Sequence, residues 1–420
     1  MEQPKIVKCG LGTIREPQKG LLDNKVPLYQ FNVGSEEIVR IDFIFDAGEI
    51  NSELPMVAPI TNMMLKEGTV SMKAEEMNEK LDFHGIMYTL FCSYDKAGLS
   101  IFCLNKYLEN ALELASDMLI RPSFGEKELT TLLGKQKNDY LISRDIVAVL
   151  AKESFFSNIF GNGHPYGRTV ELKDFDKITT EQLRTFHANC YIPDNLYIVV
   201  AGKIPKNTEQ LINKYFGNQQ RRDLVPLEFN FIPKKPEKRR HTEKANAVQT
   251  AIRIGSTTIN KCHPDYPGLK VVNTILGGYF GSRLMKNIRE DKGFSYGIAS
   301  SLYSTQQSGI KVIFTEVNQA NTNEAIDEIL KEVSILGREP VKNDELETVK
   351  NYMLGNLVRS LDGPFALIDN FRSLYEFGLK NDFNYLLEEK IKNIAADEIM
   401  ELVNRYYKID DLTVVTAGKE

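Results

Sequence analysis

A segment near the middle of the chain recurs at its carboxyl end, and this duplication constrains the fold more than any other feature. Residues 177–203, KITTEQLRTFHANCYIPDNLYIVVAGK, align without a gap with residues 393–419, NIAADEIMELVNRYYKIDDLTVVTAGK, at a constant offset of 216. Each copy predicts a helix, a turn with the pattern Tyr-x-x-Asp, and a β-branched strand that ends at Ala-Gly-Lys. Because chance seldom preserves three consecutive elements in one register, we interpret the repeat as a duplicated domain.

The length of the chain agrees with more than one domain, since domains average about 150 residues and the chain has 420. Residues 231–244, FIPKKPEKRRHTEK, separate the repeated halves and contain two prolines and seven basic or histidine residues. Such a run is typical of a solvated linker, or of a nucleic-acid or nuclear-localisation patch. Its position between the halves of a negatively charged chain favours the linker. We therefore predict a first domain over 1–230 and a second over 245–420.

Hydrophobic periodicity predicts the same order of elements in both halves: a strand, a helix, two strands and a helix. In the first half these elements cover 38–48, 73–85, 86–95, 98–105 and 107–120. In the second half they cover 247–255, 268–276, 294–304, 309–317 and 323–336. The sequence therefore predicts an α+β fold of two duplicated domains, each with a mostly antiparallel or mixed sheet covered by helices on one face.

Composition narrows the environment and the partners. The 52 Lys and Arg residues against 57 Asp and Glu give a net charge of −5, which supplies no general positive field for nucleic acid. The five cysteines form no Cys-x-x-Cys pair, which favours a reducing compartment over a disulfide framework or a thiolate metal site. The amino terminus is charged where a secretory signal would be apolar, and no run of about 18 apolar residues follows. We expect a cytoplasmic protein without a membrane or nucleic-acid partner.

Motifs with well-known chemistry are missing from the sequence. The five histidines are too far apart to form His-Glu-x-x-His or His-x-x-Glu-His. Residues 277–282, GGYFGS, superficially resemble a phosphate-binding loop, but they lack its Gly-Lys-Ser/Thr end and lie between two predicted helices. Neither a Gly-x-Ser-x-Gly elbow nor a kinase signature set is present. These motifs therefore assign no chemistry to the chain.

Residues 276–300, LGGYFGSRLMKNIREDKGFSYGIAS, resemble the second-domain signature of the pitrilysin/insulinase-type zinc metallopeptidases, in the subgroup like the mitochondrial processing peptidase. Three more segments resemble landmarks of that family in the expected order, namely LKEGT at 65–69, FGNGHPYG at 160–167 and YIPDNLYIVVAGKI at 191–204. The resemblance covers nearly the whole chain. It implies two homologous domains that face each other as a clamshell around a peptide chamber.

The family's catalytic signature, His-x-x-Glu-His on a helix before the Gly-Thr turn, is absent here. The resemblance places Pro59, Asn62 and Met63 where the first His, the Glu and the second His would stand. Proline has no ligand atom, an amide cannot accept a proton as a carboxylate does, and a thioether is ill suited to hydrolytic zinc. Asp139 lies near the spacing of the third ligand, but catalytic zinc needs three protein ligands. We expect this chain to bind no cofactor and zinc to be held by a partner.

The second half retains the residues that the family is thought to use on the substrate. The resemblance assigns a catalytic role to Arg289 and Tyr296, which would hold the peptide and its developing oxyanion, and a substrate-binding role to Gly278 and Ser282. A guanidinium offers fixed donors to peptide carbonyls, and a phenol can donate to an oxyanion. In a purely structural alternative, Arg289 pairs with a neighbouring acid on the surface and Tyr296 is an ordinary strand aromatic.

Some members of the family divide the work between two chains, one with the zinc motif and one with the Arg/Tyr pair. We therefore interpret this chain as the metal-free subunit of a heterodimeric zinc peptidase, inactive alone and active only with a zinc-bearing homologous subunit. Its substrate would be an extended peptide that adds a strand to a sheet edge such as 86–94 or its equivalent in the partner. The alternative is a catalytically inactive family member retained as a structural or peptide-binding subunit.

Overall fold

The computed structural model describes residues 10–221 and 235–420, and each half is built on one mixed sheet. The sheet of the first half has the strand order β1-β2-β6-β3-β5-β4. Its strands are β1 (Gln18–Leu21), β2 (Pro27–Asn32), β3 (Ile38–Phe45), β4 (Met87–Cys92), β5 (Ala97–Leu104) and β6 (Leu196–Gly202).

The sheet of the second half repeats this topology. Its strands are β7 (Arg239–Glu243), β8 (Gln249–Thr258), β9 (Ile298–Ser304), β10 (Gly309–Asn318) and β11 (Thr413–Gly418), in the order β7-β11-β8-β10-β9. Without β1, the first sheet has the equivalent order. Each sheet has one parallel pair at the same place, β2 with β6 and β7 with β11, and its other pairs are antiparallel.

In the described residues the first half has seven α-helices and the second half has six. The first half has α1 (Val57–Met64), α2 (Ala74–His84), α3 (Leu108–Ile120), α4 (Glu126–Ser143), α5 (Val147–Phe160), α6 (Thr180–Cys190) and α7 (Thr208–Phe216). The second half has α8 (Tyr266–Asn273), α9 (Thr322–Arg338), α10 (Asn343–Arg359), α11 (Pro364–Tyr375), α12 (Asp382–Asn393) and α13 (Ala396–Tyr406). No helix within the described ranges is long and apolar enough to cross a membrane.

The repeated segment forms as predicted because its local signals agree. Thr179 caps α6: its hydroxyl accepts a hydrogen bond from the Gln182 N–H at 3.3 Å, and the Gln182 side chain accepts one from the Thr179 N–H at 3.0 Å. This reciprocal capping satisfies two backbone donors at the helix start. Strand β6 follows and is buried along its whole length, which places it at the centre of the sheet. The prediction of an α+β fold with two duplicated domains is confirmed.

Each half sends one helix onto the sheet of the other half. Helix α5 packs on β8 and β11, and its counterpart α11 packs on β6 and β2. Phe155 of α5 is fully buried in a cluster with Ile310, Val312 and Val415 of the second sheet. On α11, the Phe371 ring centroid lies 4.7 Å from that of Tyr29 on β2. The halves therefore face each other across exchanged helices, and each half needs the other to cover its sheet.

The predicted linker contains a strand. Of residues 231–244, those at 231–234 lie outside the described ranges, while Arg239–Glu243 form β7 beside β11. The residues of β7 alternate between exposed and half-buried. The composition did not reveal this strand because its side chains are mostly charged, and an edge strand needs only one partly covered face. The domain boundaries, which also include residues 1–9 and 222–230 outside the described ranges, stay a prediction.

We expect Phe155→Ala to lower the free energy of unfolding by about 3–5 kcal/mol, because it empties a buried site between the halves. Urea unfolding should remain a single transition, since α5 belongs to one half and packs on the other. Phe83→Ala on α2 is the control, because Phe83 is 81% exposed. Equal stabilities for the two variants would contradict the role assigned to α5.

Candidate functional site

Helix α1 carries the positions that correspond to the family's zinc signature. Pro59 is the third residue of this helix, where a backbone N–H would have no partner within the helix, so proline is tolerated. Thr61 is fully buried, and its hydroxyl donates to the Val57 carbonyl at 2.7 Å. Asn62 is 2% exposed. The side chains of this helix that lie between Pro59 and Met63 therefore serve the core.

Asn62 binds two groups of the protein itself. Its amide nitrogen lies 3.1 Å from the Gly98 carbonyl on β5 and 3.1 Å from the hydroxyl of Tyr191, just after α6. Burial raises the pKa of Tyr191, so this phenol stays protonated. The amide thus joins α1, the sheet and the end of α6. It occupies the place where the resemblance expects a general base.

The second half contains the equivalent amide. Asn273 lies 211 residues after Asn62, the same separation as between the equivalent sheet residues Ile41 and Ile252. Its carbonyl oxygen accepts from Tyr407, the repeat of Tyr191, at 3.4 Å, and its nitrogen donates to the Ser300 carbonyl at 3.0 Å. In both halves, therefore, an Asn–Tyr pair fixes the helix that follows the central strand: α1 after β3, and α8 after β8.

The side chains at the family's zinc positions do not fit a zinc ion. Pro59 has no donor atom, and the Asn62 amide is committed to the core. Asp139 is exposed on α4. Over 10–221 and 235–420, no group of three or more His, Cys, Asp or Glu side chains is arranged to hold a metal.

Arg289 lies in the second of two π-helical turns, Thr274–Gly278 and Met285–Asp291. Its guanidinium carbon is 4.6 Å from the ring centroid of Phe280, which is 66% exposed. In the described part of the chain, no carboxylate lies within salt-bridge distance of this guanidinium. The pairing with a neighbouring acid, which the structural alternative requires, is not formed here. The Arg289 guanidinium is thus held against an exposed aromatic ring, and its N–H groups are available to another molecule.

Tyr296 lies between the second π-helical turn and β9 and is 94% exposed. The turn that carries it is fixed by its neighbours: the Ser295 hydroxyl donates to the Gly297 carbonyl at 2.7 Å, and the Thr315 hydroxyl donates to the same carbonyl at 2.9 Å. Because β9 begins at Ile298, Tyr296 is not a strand residue. Its phenol is presented at the surface by a fixed turn.

Tyr296 also lines an open cavity of about 420 Å³ between α5 and the second sheet. Arg253 of β8 faces the same cavity; its Nε atom is buried without a partner in the described residues, and burial lowers the pKa of its guanidinium. Asp42 holds the equivalent position in the first half, and there Arg372 of the exchanged helix α11 binds it at 2.7 Å. The second half lacks this ion pair. Arg253 was not predicted from the sequence, and the comparison of the two halves is what identifies it.

Gly278 and Ser282 flank the turn between the two π-helical turns. A Cβ atom on Gly278 would come within 3.2 Å of the Asn273 carbonyl oxygen, so the backbone is crowded there. Ser282 is 1% exposed, and its hydroxyl has no hydrogen-bond partner among the described residues. The substrate-binding roles assigned to them stay predictions. The π-helical turns were not predicted, although such turns often occur at functional sites.

One known family matches the region that contains the second-domain signature. A family model described as "Peptidase M16 inactive domain" matches residues 177–353. Over these residues the chain resembles the M16 peptidases. The pitrilysin/insulinase resemblance is therefore confirmed, and the matched region is described as an inactive domain.

Relatives of this chain are named both as uncharacterized zinc proteases and as a probable inactive metalloprotease. It is 27% identical over 363 residues to "Uncharacterized zinc protease YmxG" of Bacillus subtilis, which covers 84% of this chain and 83% of that protein. It is 25% identical over 270 residues to "Probable inactive metalloprotease YmfF" of the same organism, with 62% of each chain covered.

Solved structures share the fold. A peptidase M16 inactive domain from Pseudomonas fluorescens superposes with a TM-score of 0.85 at 20% identity, covering 96% of this chain and 98% of that chain. A protease from Helicobacter pylori gives a TM-score of 0.86 at 16% identity, covering 97% and 100%. At these identities the likeness shows the fold alone.

We expect the purified chain to hold less than about one zinc ion per ten molecules, because no ligand replaces the missing histidines on α1. Metal analysis after growth with added zinc measures this directly. A chelator should leave the melting temperature unchanged. About one tightly held zinc per chain, removed only together with stability, would show that zinc binds at ligands not identified above.

We expect Asn62→Ala to cost about 2–3 kcal/mol of unfolding free energy, because the Gly98 carbonyl and the Tyr191 hydroxyl lose a buried partner. Asn273→Ala should cost a similar amount in the second half. Asn323, which lies in an exposed position on α9, provides the matched control. Denaturant unfolding of the three variants gives the comparison. An Asn62→Ala protein as stable as Asn323→Ala would mean that the amide is not structural.

Proposed function

We propose that this chain is the metal-free subunit of a heterodimeric M16-type peptidase, in which Arg289 and Tyr296 act on a peptide bound at a partner's zinc. One contrast carries the proposal. The place of the zinc signature is filled by the core amide Asn62, whereas the Arg and Tyr expected to act on the substrate remain presented at the surface. A chain that had lost both functions would have no need to hold them there.

The surface around Arg289 has the composition of a binding interface. Phe280 is 66% exposed, Tyr296 is 94% exposed, and Arg289 stacks on the first of them. Aromatic residues and arginine dominate the energetically important positions of protein interfaces. Exposed aromatic rings also leave apolar area in water, which a partner or a peptide would cover. This area supports a contact with a second polypeptide.

The two side chains suit the chemistry of peptide-bond cleavage. The Arg289 guanidinium has five N–H donors in a fixed plane and would orient carbonyl groups of an extended peptide. The Tyr296 phenol would donate to the oxygen that becomes negatively charged when the carbonyl is attacked. The partner's zinc would supply the activated water. This chain would therefore position the substrate and stabilise charge.

An extended peptide could add to an unpaired sheet edge. In the described part of the chain, β4 and β9 are the corresponding edge strands of the two sheets, and β4 lies within the predicted edge 86–94. Met87 on β4 is 68% exposed. Ile298 and Ala299 at the start of β9 line the cavity that contains Tyr296. A strand added at β9 would therefore run past Tyr296, which supports the same peptide-binding surface.

The alternative is a structural or peptide-binding subunit without a part in catalysis. It is favoured by the name of one relative, "Probable inactive metalloprotease YmfF", and of another, "Non-peptidase homolog YmxG" of Helicobacter pylori. The same exposed surface would then hold a peptide or a partner without cleavage. A cytoplasmic location suits either function, because Cys92, Cys103, Cys190 and Cys262 are free thiols.

The decisive variants are tested in the complex with a zinc-bearing homologue. Tyr296→Phe should lower kcat about 10²–10³-fold, because it removes one donor to the oxyanion and leaves the ring in place. Arg289→Ala should raise KM and lower kcat together, because the peptide loses its oriented donors. Tyr352→Phe on α10 is the control, because it removes the hydroxyl of another exposed tyrosine, 41% exposed, that is given no role in the proposed chemistry.

Assembly must be measured separately, by size-exclusion chromatography of each variant with the partner. Intact complexes that keep wild-type rates with both substitutions would overturn the catalytic role and leave the peptide-binding alternative. Loss of assembly in Arg289→Ala alone would assign that residue to the subunit interface.

A further inference from the structure

A second cavity of about 420 Å³ lies beside the exchanged helix α11, between α8, α10 and α12. It shares no lining residue with the cavity that contains Tyr296. Two lysines face it, Lys261 from the segment before α8 and Lys270 from α8 itself. The amides of Asn370 and Asn384 and the hydroxyl of Ser360 also line it. The cavity thus combines two cations with neutral polar groups.

Lys261 has no carboxylate partner within salt-bridge distance in the described residues. Its ammonium donates to the Ser373 carbonyl on α11 at 2.8 Å and lies 5.0 Å from the Phe377 ring centroid. Burial, together with the positive charge of Lys270, lowers the pKa of Lys261 to about 8. A neutral carbonyl and a ring only partly replace the water that this ammonium has lost.

The ammonium of Lys270 has fewer protein partners than that of Lys261. Across the described ranges its ammonium makes neither a hydrogen bond nor an ion pair, and burial lowers its pKa. Its neighbours on α8, Leu269, Val271 and Val272, are fully buried, which fixes the helix in place. A lysine that is held in place beside a cavity and has no carboxylate partner is a favourable neighbour for an anion.

The acidic groups around the cavity are already engaged. Asp369 lines the cavity, but its carboxylate binds Arg40 at 2.8 Å. Glu376, at the end of α11, faces Lys261, yet it accepts a hydrogen bond from Tyr197 at 3.3 Å and burial raises its pKa. The remaining titratable neighbour of Lys261, the Cys262 thiol, is exposed. The positive charge of the two lysines therefore exceeds the negative charge available to them.

We propose that the cavity beside α11 binds a small oxyanion, a phosphate or carboxylate group, between Lys261 and Lys270. Charge-assisted hydrogen bonds from two ammonium groups are the interactions that hold such anions in proteins. The Asn370 and Asn384 amides and Ser360 add neutral donors, and the volume suffices for a small metabolite. Because Asn370 and Ser373 belong to α11, the anion would also tie this exchanged helix to the second half.

Isothermal titration calorimetry tests the proposal on the full chain with sodium sulfate and, separately, sodium malonate, against chloride of equal ionic strength. Sulfate represents a phosphate group and malonate a carboxylate group, so the tighter of the two identifies the source. One site per chain is expected. Both Lys261→Met and Lys270→Met should weaken binding at least about tenfold, the effect of losing one charge-assisted bond. Lys127→Met on α4 should not, because Lys127 is exposed far from α11 in sequence and lines neither cavity.

A measurement on the unmodified protein does not depend on how the variants fold. Both probes keep a constant charge above pH 7, whereas Lys261 loses its proton around its pKa of about 8. Affinity should therefore fall as the pH is raised from about 7 to about 9.5. Absence of binding by both anions, affinities unchanged in both lysine variants, or affinities equal at the two pH values would each overturn the proposal.

Discussion

The exchange of α5 and α11 between the halves is the contact on which the rest of the structure depends. Each sheet is covered on one side by helices of its own half and on the other by a helix from the opposite half. Neither half can complete its core alone, because an exposed apolar sheet face costs about 25 cal/mol per Å² left in water. The exchange also carries both candidate sites, since α5 borders the cavity with Tyr296 and α11 borders the cavity with the two lysines. The two exchanged helices are duplicated elements that have diverged, and each now borders one candidate site.

The two halves are alike at positions that core packing requires and differ at positions that packing leaves free. Asn62 with Tyr191 and Asn273 with Tyr407 are the same pair in the same place, because both fix a helix against the sheet. The halves differ where the exchanged helices pack on the sheets. Asp42 of the first sheet is bound by Arg372, whereas Arg253 of the second sheet faces an open cavity. A position that serves the core accepts few substitutions, while a position beside a cavity is free to acquire a ligand. The proposed function rests on a related contrast, between Asn62 in the core and Arg289 and Tyr296 at the surface.

The sequence predicted the helices and strands well, but it did not predict which sheet each helix covers. The gapless repeat and the alternation in segments such as 38–48 predicted the duplicated α+β halves, because periodicity reports which face of an element is buried. Periodicity could not report which half of the chain covers that buried face, so the exchange of α5 and α11 was missed. Strand β7 was hidden by its charged residues, and the π-helical turns by the absence of any pattern specific to them. For the site, the signature located Arg289 and Tyr296, but the commitment of Asn62 to Tyr191 and the open position of Arg253 depend on contacts distant in sequence.

The central claim is that this chain contributes to catalysis by a zinc-bearing subunit. It is tested most directly by adding the chain in increasing amounts to a purified zinc-bearing homologue from the same organism and measuring peptide cleavage. We predict that the rate rises and reaches a plateau at one chain per zinc subunit, and that neither protein alone approaches this rate. A complex that forms at the same ratio, with a rate no higher than that of the zinc-bearing subunit alone, would contradict it.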